Sequence, residues 1–142
     1  VRLSGVVPVA LPADEAFAFF TPSGERAWAQ GWEPEFPASS EDETEPGTVF
    51  EVAHDGRRST WVVAACVPGR SITYARTTVS DRAGLVRVEC APAGDGTTDA
   101  RVTYDLTALT EDAEQVLEEF AASYAAFLEH WRVAIAAAIT RR

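Results

Sequence analysis

The chain has 142 residues, with 22 acidic against 12 basic side chains, 46% hydrophobic and 24% charged positions, the make-up of a single soluble domain over residues 1–142. A formal net charge of −10, interrupted by no basic stripe, repels phosphate backbones and anionic lipid surfaces, so neither nucleic acid nor membrane is an expected partner. No run approaches the ~20 apolar residues of a membrane span and Val1 opens no leader pattern of basic start plus apolar stretch, so a cytoplasmic location is expected.

The first segment, Arg2 to Ala10, is Val-rich and reads as a strand. It ends at Leu11-Pro12, where the fixed φ and missing donor of proline stop a strand and suit a helix start. Asp14 and Glu15 fall in that helix's first turn, favoured by its dipole, and Phe17 and Phe20 follow on one face. Thr21 and Pro22 then supply a cap and a first position for a second short helix, which carries Glu25, Arg26 and Trp28 and ends at Gly31. Residues Glu33 to Glu45 hold six carboxylates, two prolines and two serines without apolar periodicity and read as a solvated loop with a short edge strand at most. Calcium loops place a turn glycine between regularly offset oxygen ligands. Glu41 to Glu45 contains none, so no metal is expected.

From Gly47 the hydrophobic rhythm has period two, broken by turn signals at Asp55-Gly56, Pro68-Gly69, Asp81 to Gly84 and Gly94-Asp95-Gly96. Antiparallel strands are predicted at about 48–54, 58–67, 70–78, 85–92 and 99–108. Alternation puts Phe50, Val52 and His54 on one face, together with Trp61, Val63 and Ala65; Ile72, Tyr74 and Arg76; Val86, Val88 and Cys90; and Val102, Tyr104 and Leu106. Cys66 and Cys90 have no metal or C-x-x-C spacing and are expected to be reduced, structural thiols.

After Leu109 the period becomes helical, with Thr110 as N-cap and Glu111, Asp112 and Glu114 in the first turn. Val116/Leu117, Phe120, Tyr124, Phe127/Leu128, Trp131, Ile135 and Ile139 form its apolar stripe. A helix of about 29 residues spans roughly 43 Å, far longer than a strand, and is expected to cross several strands of one sheet. The chain contains no Met, initiator included, so its start is expected to be trimmed. All 12 basic residues are Arg and Asn is absent, a usage that fits a GC-rich genome.

The order strand, two short helices, antiparallel strands and long C-terminal helix resembles the helix-grip fold of the START and birch-pollen-allergen superfamily, also called SRPBCC. Phe19-Phe20-Thr21-Pro22-Ser23-Gly24-Glu25-Arg26-Ala27-Trp28 and Gly31-Trp32-Glu33-Pro34 are similar to a stretch of its bacterial polyketide cyclase/dehydrase-like group. Thr60-Trp61-Val62-Val63, Ile72-Thr73-Tyr74 and the run Thr103 to Glu111 extend the likeness over essentially the whole chain. The resemblance implies an α+β helix-grip fold: a strongly curved antiparallel sheet of six or seven strands gripping one long C-terminal helix. It carries no catalytic residue over, because relatives include lipid carriers, cyclases and co-chaperone activators.

A twisted sheet touches a straight helix over only part of its width, leaving space at the flanks. Trp28, Trp32, Phe50, Trp61, Tyr74, Tyr104, Phe120, Tyr124 and Phe127 are the residues expected to face that space and contact a ligand, unless they simply fill the core. An empty pocket of ~300 Å³ costs about 7 kcal/mol, so an evolved hollow is occupied, wet or narrowed. His54, Tyr74, Arg76 and Tyr104 are the polar groups expected to orient a ligand, with His54 and Arg76 the catalytic candidates. Each has a plainer alternative: His54 half exposed at its hairpin, Arg76 reaching the rim or pairing with Glu89 or Asp105.

The leading expectation is cofactor-free binding of a small hydrophobic molecule. The rivals are a cyclase/aromatase- or hydratase-like enzyme using the same cavity, and a protein-interaction module using the acidic 33–45 segment. No nucleophile elbow, paired-carboxylate signature, phosphate loop or metal motif supports the enzyme reading. Homodimerisation through an exposed strand edge is a further expectation.

Overall fold

In the computed structural model, which describes residues 1–142, Arg2–Val9 form strand β1 and Pro12 starts the five-residue helix α1 (Ala13–Phe17). The second helix expected after Pro22 is instead one 3₁₀ turn, Gly24–Ala27, preceded by another at Ala18–Phe20. Thr21 does act as a cap, its Oγ1 accepting from the Gly24 amide at 3.1 Å. The chain folds back too tightly there to continue as α-helix: a Cβ on Gly24 would lie 1.8 Å from the Ala18 carbonyl oxygen.

Strands β2 (Val49–His54), β3 (Arg57–Val67), β4 (Ser71–Thr78), β5 (Arg82–Gly94) and β6 (Thr97–Ala108) follow as an antiparallel meander. β1 closes on β6, giving one curved six-stranded sheet in the order β1-β6-β5-β4-β3-β2. Its β2 edge is partly covered by Glu35, which exchanges two backbone hydrogen bonds with Glu51 at 2.9 Å. Most of the acidic segment is exposed, as expected, and it is pinned at particular side chains. Glu43 accepts from the Ser23 amide and hydroxyl at 2.9 and 2.6 Å, and Glu35 lies 3.1 Å from Arg58.

The alternation read from the sequence holds for most of the core, including Phe50, Val52, Trp61, Val63, Ile72, Tyr74, Val86, Val88 and Val102. It fails on Ala65. The β3–β4 register shifts between Val63 and Ala65, and the bulge exposes Ala65 and turns Cys66 toward the core instead. His54 is also off the inner face, because the sheet ends in the Asp55-Gly56 turn beside it and leaves its side chain 74% exposed.

The single C-terminal helix of the sequence reading is divided in two, α2 (Glu111–Ala122) and α3 (Tyr124–Thr140). Ser123 at the joint has φ −110 and ψ 14, and its hydroxyl donates to the Glu119 carbonyl at 3.0 Å, the back-bonding by which serine bends helices. Thr110 caps α2 as expected, accepting from the Ala113 amide at 3.1 Å. Leu117, Tyr124, Leu128 and Ile135 are buried, whereas Val116 is 46% exposed.

α2 packs on β6 and α3 on β1, so the helical layer rests on one side of the sheet. Gly5 permits the close approach on β1, since a Cβ there would meet Leu128 Cδ1 at 2.5 Å. The segment from α1 to Trp32 is held against the sheet by the Tyr74 hydroxyl, which donates to the Phe20 carbonyl at 2.7 Å within the core. Tyr74→Phe strands that buried carbonyl and is expected to cost about 1–2 kcal/mol, read as a lower urea midpoint at unchanged slope. An unaltered midpoint would show that this bond does not hold the segment.

Candidate functional site

Between the sheet, the α2–α3 layer and the segment carrying Trp28 and Trp32 lies a chamber of about 290 Å³. Twelve of its fifteen wall residues are hydrophobic, and all four tryptophans of the chain, Trp28, Trp32, Trp61 and Trp131, are among them. The sheet contributes Trp61, Tyr74 and Tyr104, and the helices contribute Phe120 and Phe127. Trp28 stands over Trp131 edge-on at 4.8 Å, and Trp32 over Trp61 at 5.3 Å. The indole N–H groups of Trp28 and Trp32 are anchored outside the chamber, on the carbonyls of Phe19 (2.8 Å) and Pro22 (2.7 Å).

Two of the nine expected ligand-facing aromatics lie behind the wall. Phe50 is fully buried, stacked 5.9 Å from Trp61. Tyr124 donates its hydroxyl to the Val102 carbonyl at 2.7 Å and backs Phe120 and Phe127. Phe50 stands on the edge strand β2 and Tyr124 at the start of α3, and both are packed into the core. Tyr74 keeps its ring on the chamber, and its hydroxyl proton is given to the Phe20 carbonyl. The Tyr104 hydroxyl makes no hydrogen bond within the protein, and burial pushes its ionisation far above the ordinary phenol value.

His54 lies outside the chamber, 3.2 Å from Asp55. It borders a neighbouring depression of about 430 Å³ that Trp32, Trp61, Arg76 and Arg82 share with the chamber. Those four side chains therefore form the junction between an apolar interior and a polar mouth. His130 is exposed on α3.

Arg76 reaches neither Glu89 nor Asp105. Asp105 pairs with Arg2 and Glu89 with Arg87, each at 3.4 Å. The Arg76 guanidinium lies 5.2 Å from the Trp61 ring centre and donates through one terminal nitrogen to the Thr78 hydroxyl, while its Nε is buried without a partner. Burial lowers its pKa, and the neighbouring Arg82 adds to that. Arg82 itself is paired at 2.5 Å with Asp81, which also holds Arg57 at 3.0 Å.

Among the wall residues that the sequence reading did not place at the hollow are Trp131, Arg82, Ala29 and Glu25. Trp131 was on the apolar stripe, but the stripe does not say which of its members face a hollow. Glu25 was read only as one of the residues carried by a second short helix. Because the helix is only a 3₁₀ turn, its carboxyl points into the chamber, forms no ion pair or hydrogen bond, and is pushed well above its usual value by burial. Burial in turn raises the ionisation of Tyr74 and Tyr104, with Glu25 as a secondary cause. No cluster of three or more His, Cys, Asp or Glu side chains is placed to hold a metal ion.

The model of the family described as polyketide cyclase/dehydrase and lipid transport matches residues 1–134. The chain belongs to that family. Its fold is the START-like, SRPBCC helix-grip fold, one that binds hydrophobic ligands. Among solved structures, a START superfamily protein from Mycobacterium smegmatis aligns with a TM-score of 0.72 at 16% identity, covering 99% of each chain. CalU16 from Micromonospora echinospora aligns with a TM-score of 0.66 at 20% identity, over 99% of this chain and 79% of that one. The Aha1 dimer from Colwellia psychrerythraea aligns with a TM-score of 0.66 at 11% identity, over 95% of this chain and 96% of that one. No curated protein matches the sequence. No helix of this family member is long and apolar enough to cross a membrane.

Because burial lifts Glu25 above the 4.5 of a free side chain, its contribution to stability is full below pH 4.5 and is lost as pH rises through the folded-state value. Glu25→Gln removes that loss. Thermal unfolding should show no gap between variant and wild type at about pH 4, and a gap favouring the variant that widens toward about pH 8. A gap independent of pH would mean that the Glu25 carboxyl is solvated.

Proposed function

We propose that this protein captures a small hydrophobic molecule in the chamber between its sheet and C-terminal helices. The observation that carries this reading is the chamber wall: an aromatic lining around about 290 Å³, joined to the surface through a polar depression. The volume suits a bicyclic or tricyclic skeleton, and the aromatic rings offer broad contact at little entropic cost because their anchors already fix them. Membership of the polyketide cyclase/dehydrase and lipid transport family supports the same reading.

A second reading, cyclase- or hydratase-like chemistry in this chamber, is favoured by one observation: the Glu25 carboxyl and Tyr104 hydroxyl both face it without a protein partner. It requires a turnover that Glu25→Gln lowers, and a ligand bound but never converted argues for capture alone.

The neutral fluorophore N-phenyl-1-naphthylamine tests the capture reading. Its emission should shift to the blue on binding and it should quench the four chamber tryptophans. At a hundredfold excess over its Kd it should stabilise the fold by about 2.7 kcal/mol, roughly 5–10 °C in Tm. Ala29→Trp, on the chamber wall, should weaken the probe at least tenfold while the far-UV circular dichroism is retained. Equal affinity in wild type and a folded Ala29→Trp variant would place the probe elsewhere.

A further inference from the structure

Glu25 is the one acidic residue in the chamber wall, and its carboxyl has neither a hydrogen-bond donor nor a paired cation. The arginines around it are committed elsewhere. Arg26, next in the chain, lies 3.5 Å from Glu33 and donates to the Pro34 carbonyl at 3.2 Å. Arg82 on β5 lies 2.5 Å from Asp81, and Arg76 on β4 donates to the Thr78 hydroxyl and covers Trp61. The sheet also presents the phenols Tyr74 and Tyr104, while α2 and α3 present only the apolar rings of Phe120, Phe127 and Trp131. Glu43, from the acidic segment, is held by the Ser23 amide and hydroxyl. Unlike Trp61 Nε1 and Arg76 Nε, which are closed off, the Glu25 carboxyl oxygens remain open to the chamber. Solvent in the chamber is thus the one source of hydrogen bonds for a Glu25 carboxylate.

We propose that capture is coupled to a proton on Glu25: an uncharged hydrophobic molecule fills the chamber with the Glu25 carboxyl in its neutral acid form, is held in mild acid and is released as pH rises. This rests on the capture reading above and adds its regulation. A ligand that fills the chamber expels the solvent there, and a carboxylate loses far more by that than a neutral carboxyl does. The ligated protein therefore keeps the Glu25 proton to higher pH than the free protein. Binding takes up a proton, and affinity falls by up to about tenfold per pH unit between the two values and is level on either side of them. The remaining ionisable groups do not supply this dependence. Guanidinium groups stay charged throughout, and burial keeps the protons on Tyr74 and Tyr104 beyond the ordinary phenol range. His54 is 74% exposed and lies outside the chamber wall. A hydrophobic ammonium reverses the sign, because its charge favours the carboxylate.

The test uses 6-propionyl-2-(dimethylamino)naphthalene, a bicyclic fluorophore that is uncharged from pH 5.5 to 9 and has no hydrogen-bond donor of its own. Titrated against the intact protein across that range, it should lose affinity by about tenfold or more toward the alkaline end. Glu25→Gln, which keeps the shape of the side chain without its charge, should bind at the wild type's acid-limit affinity at every pH. His54→Gln should keep the wild-type slope. Calorimetry of the wild type in buffers of different ionisation enthalpy gives the proton uptake directly, and serves where Glu25→Gln does not fold. Affinity that is level with pH and accompanied by no proton uptake overturns the coupling and leaves the capture reading in place. A slope that survives Glu25→Gln, or vanishes in His54→Gln, also overturns it. Failure of the probe to bind at any pH overturns the capture reading and the coupling with it.

Discussion

Three backbone carbonyls in four residues, those of Phe19, Phe20 and Pro22, each accept a hydrogen bond from an aromatic side chain: Trp28, Tyr74 and Trp32 in turn. The tight turns around them leave these oxygens without helical partners, and buried carbonyls must be paired. The donors are large rings whose polar tips are thereby turned outward from the hollow. One constraint therefore does two things, fastening the segment over the sheet and presenting three apolar faces to the chamber. Glu25 sits in the same turns, next to Gly24, which packs against Ala18 too closely for any other residue, and it lines the chamber.

The helical layer is the other half of the enclosure. α3 settles on β1 where Gly5 allows contact, and α2 on β6, while the segment from α1 to Trp32 packs beside them, Trp28 against Trp131. Between the two supports the curved sheet falls away, and the gap is lined by whatever the strands carry there: Trp61, Tyr74, Val86 and Tyr104. The alanines of α3 contribute little to this space. Most of them are exposed, and only Ala138 is buried. Their abundance is accounted for by helix propensity.

Periodicity made the strands legible, because one face of each is buried and a period of two then marks most inner residues between Phe50 and Leu106. It could not mark the bulge at Ala65, since nothing local announces a register shift. Nor could it show the bend at Ser123, a residue tolerated within helices until its hydroxyl takes a carbonyl of the preceding turn. The site was legible as a set of aromatics but not as a surface. Phe50 and Trp61 share a face and a stack, yet one is core and the other wall, and only the curvature of the sheet separates them. Glu25 was hidden for a sharper reason: the same residue pattern serves a solvated α-helical first turn and an inward-facing 3₁₀ turn, and the choice between them is steric contact at Gly24.

A hollow of about 290 Å³, if dry, carries a penalty of about 7 kcal/mol on the scale set by engineered cavities, comparable to the whole stability of a domain. This one opens toward the polar depression through Trp32, Trp61, Arg76 and Arg82 and is open to solvent there. The orphaned donors Trp61 Nε1 and Arg76 Nε are closed off from that solvent, at about 1–3 kcal/mol each. The aromatic interior gains nothing from water. The free protein is therefore left holding apolar surface in a wet space, at about 25 cal/mol for each Å² that a ligand removes from solvent. That apolar surface, and not the polar mouth, is the ground of the capture reading.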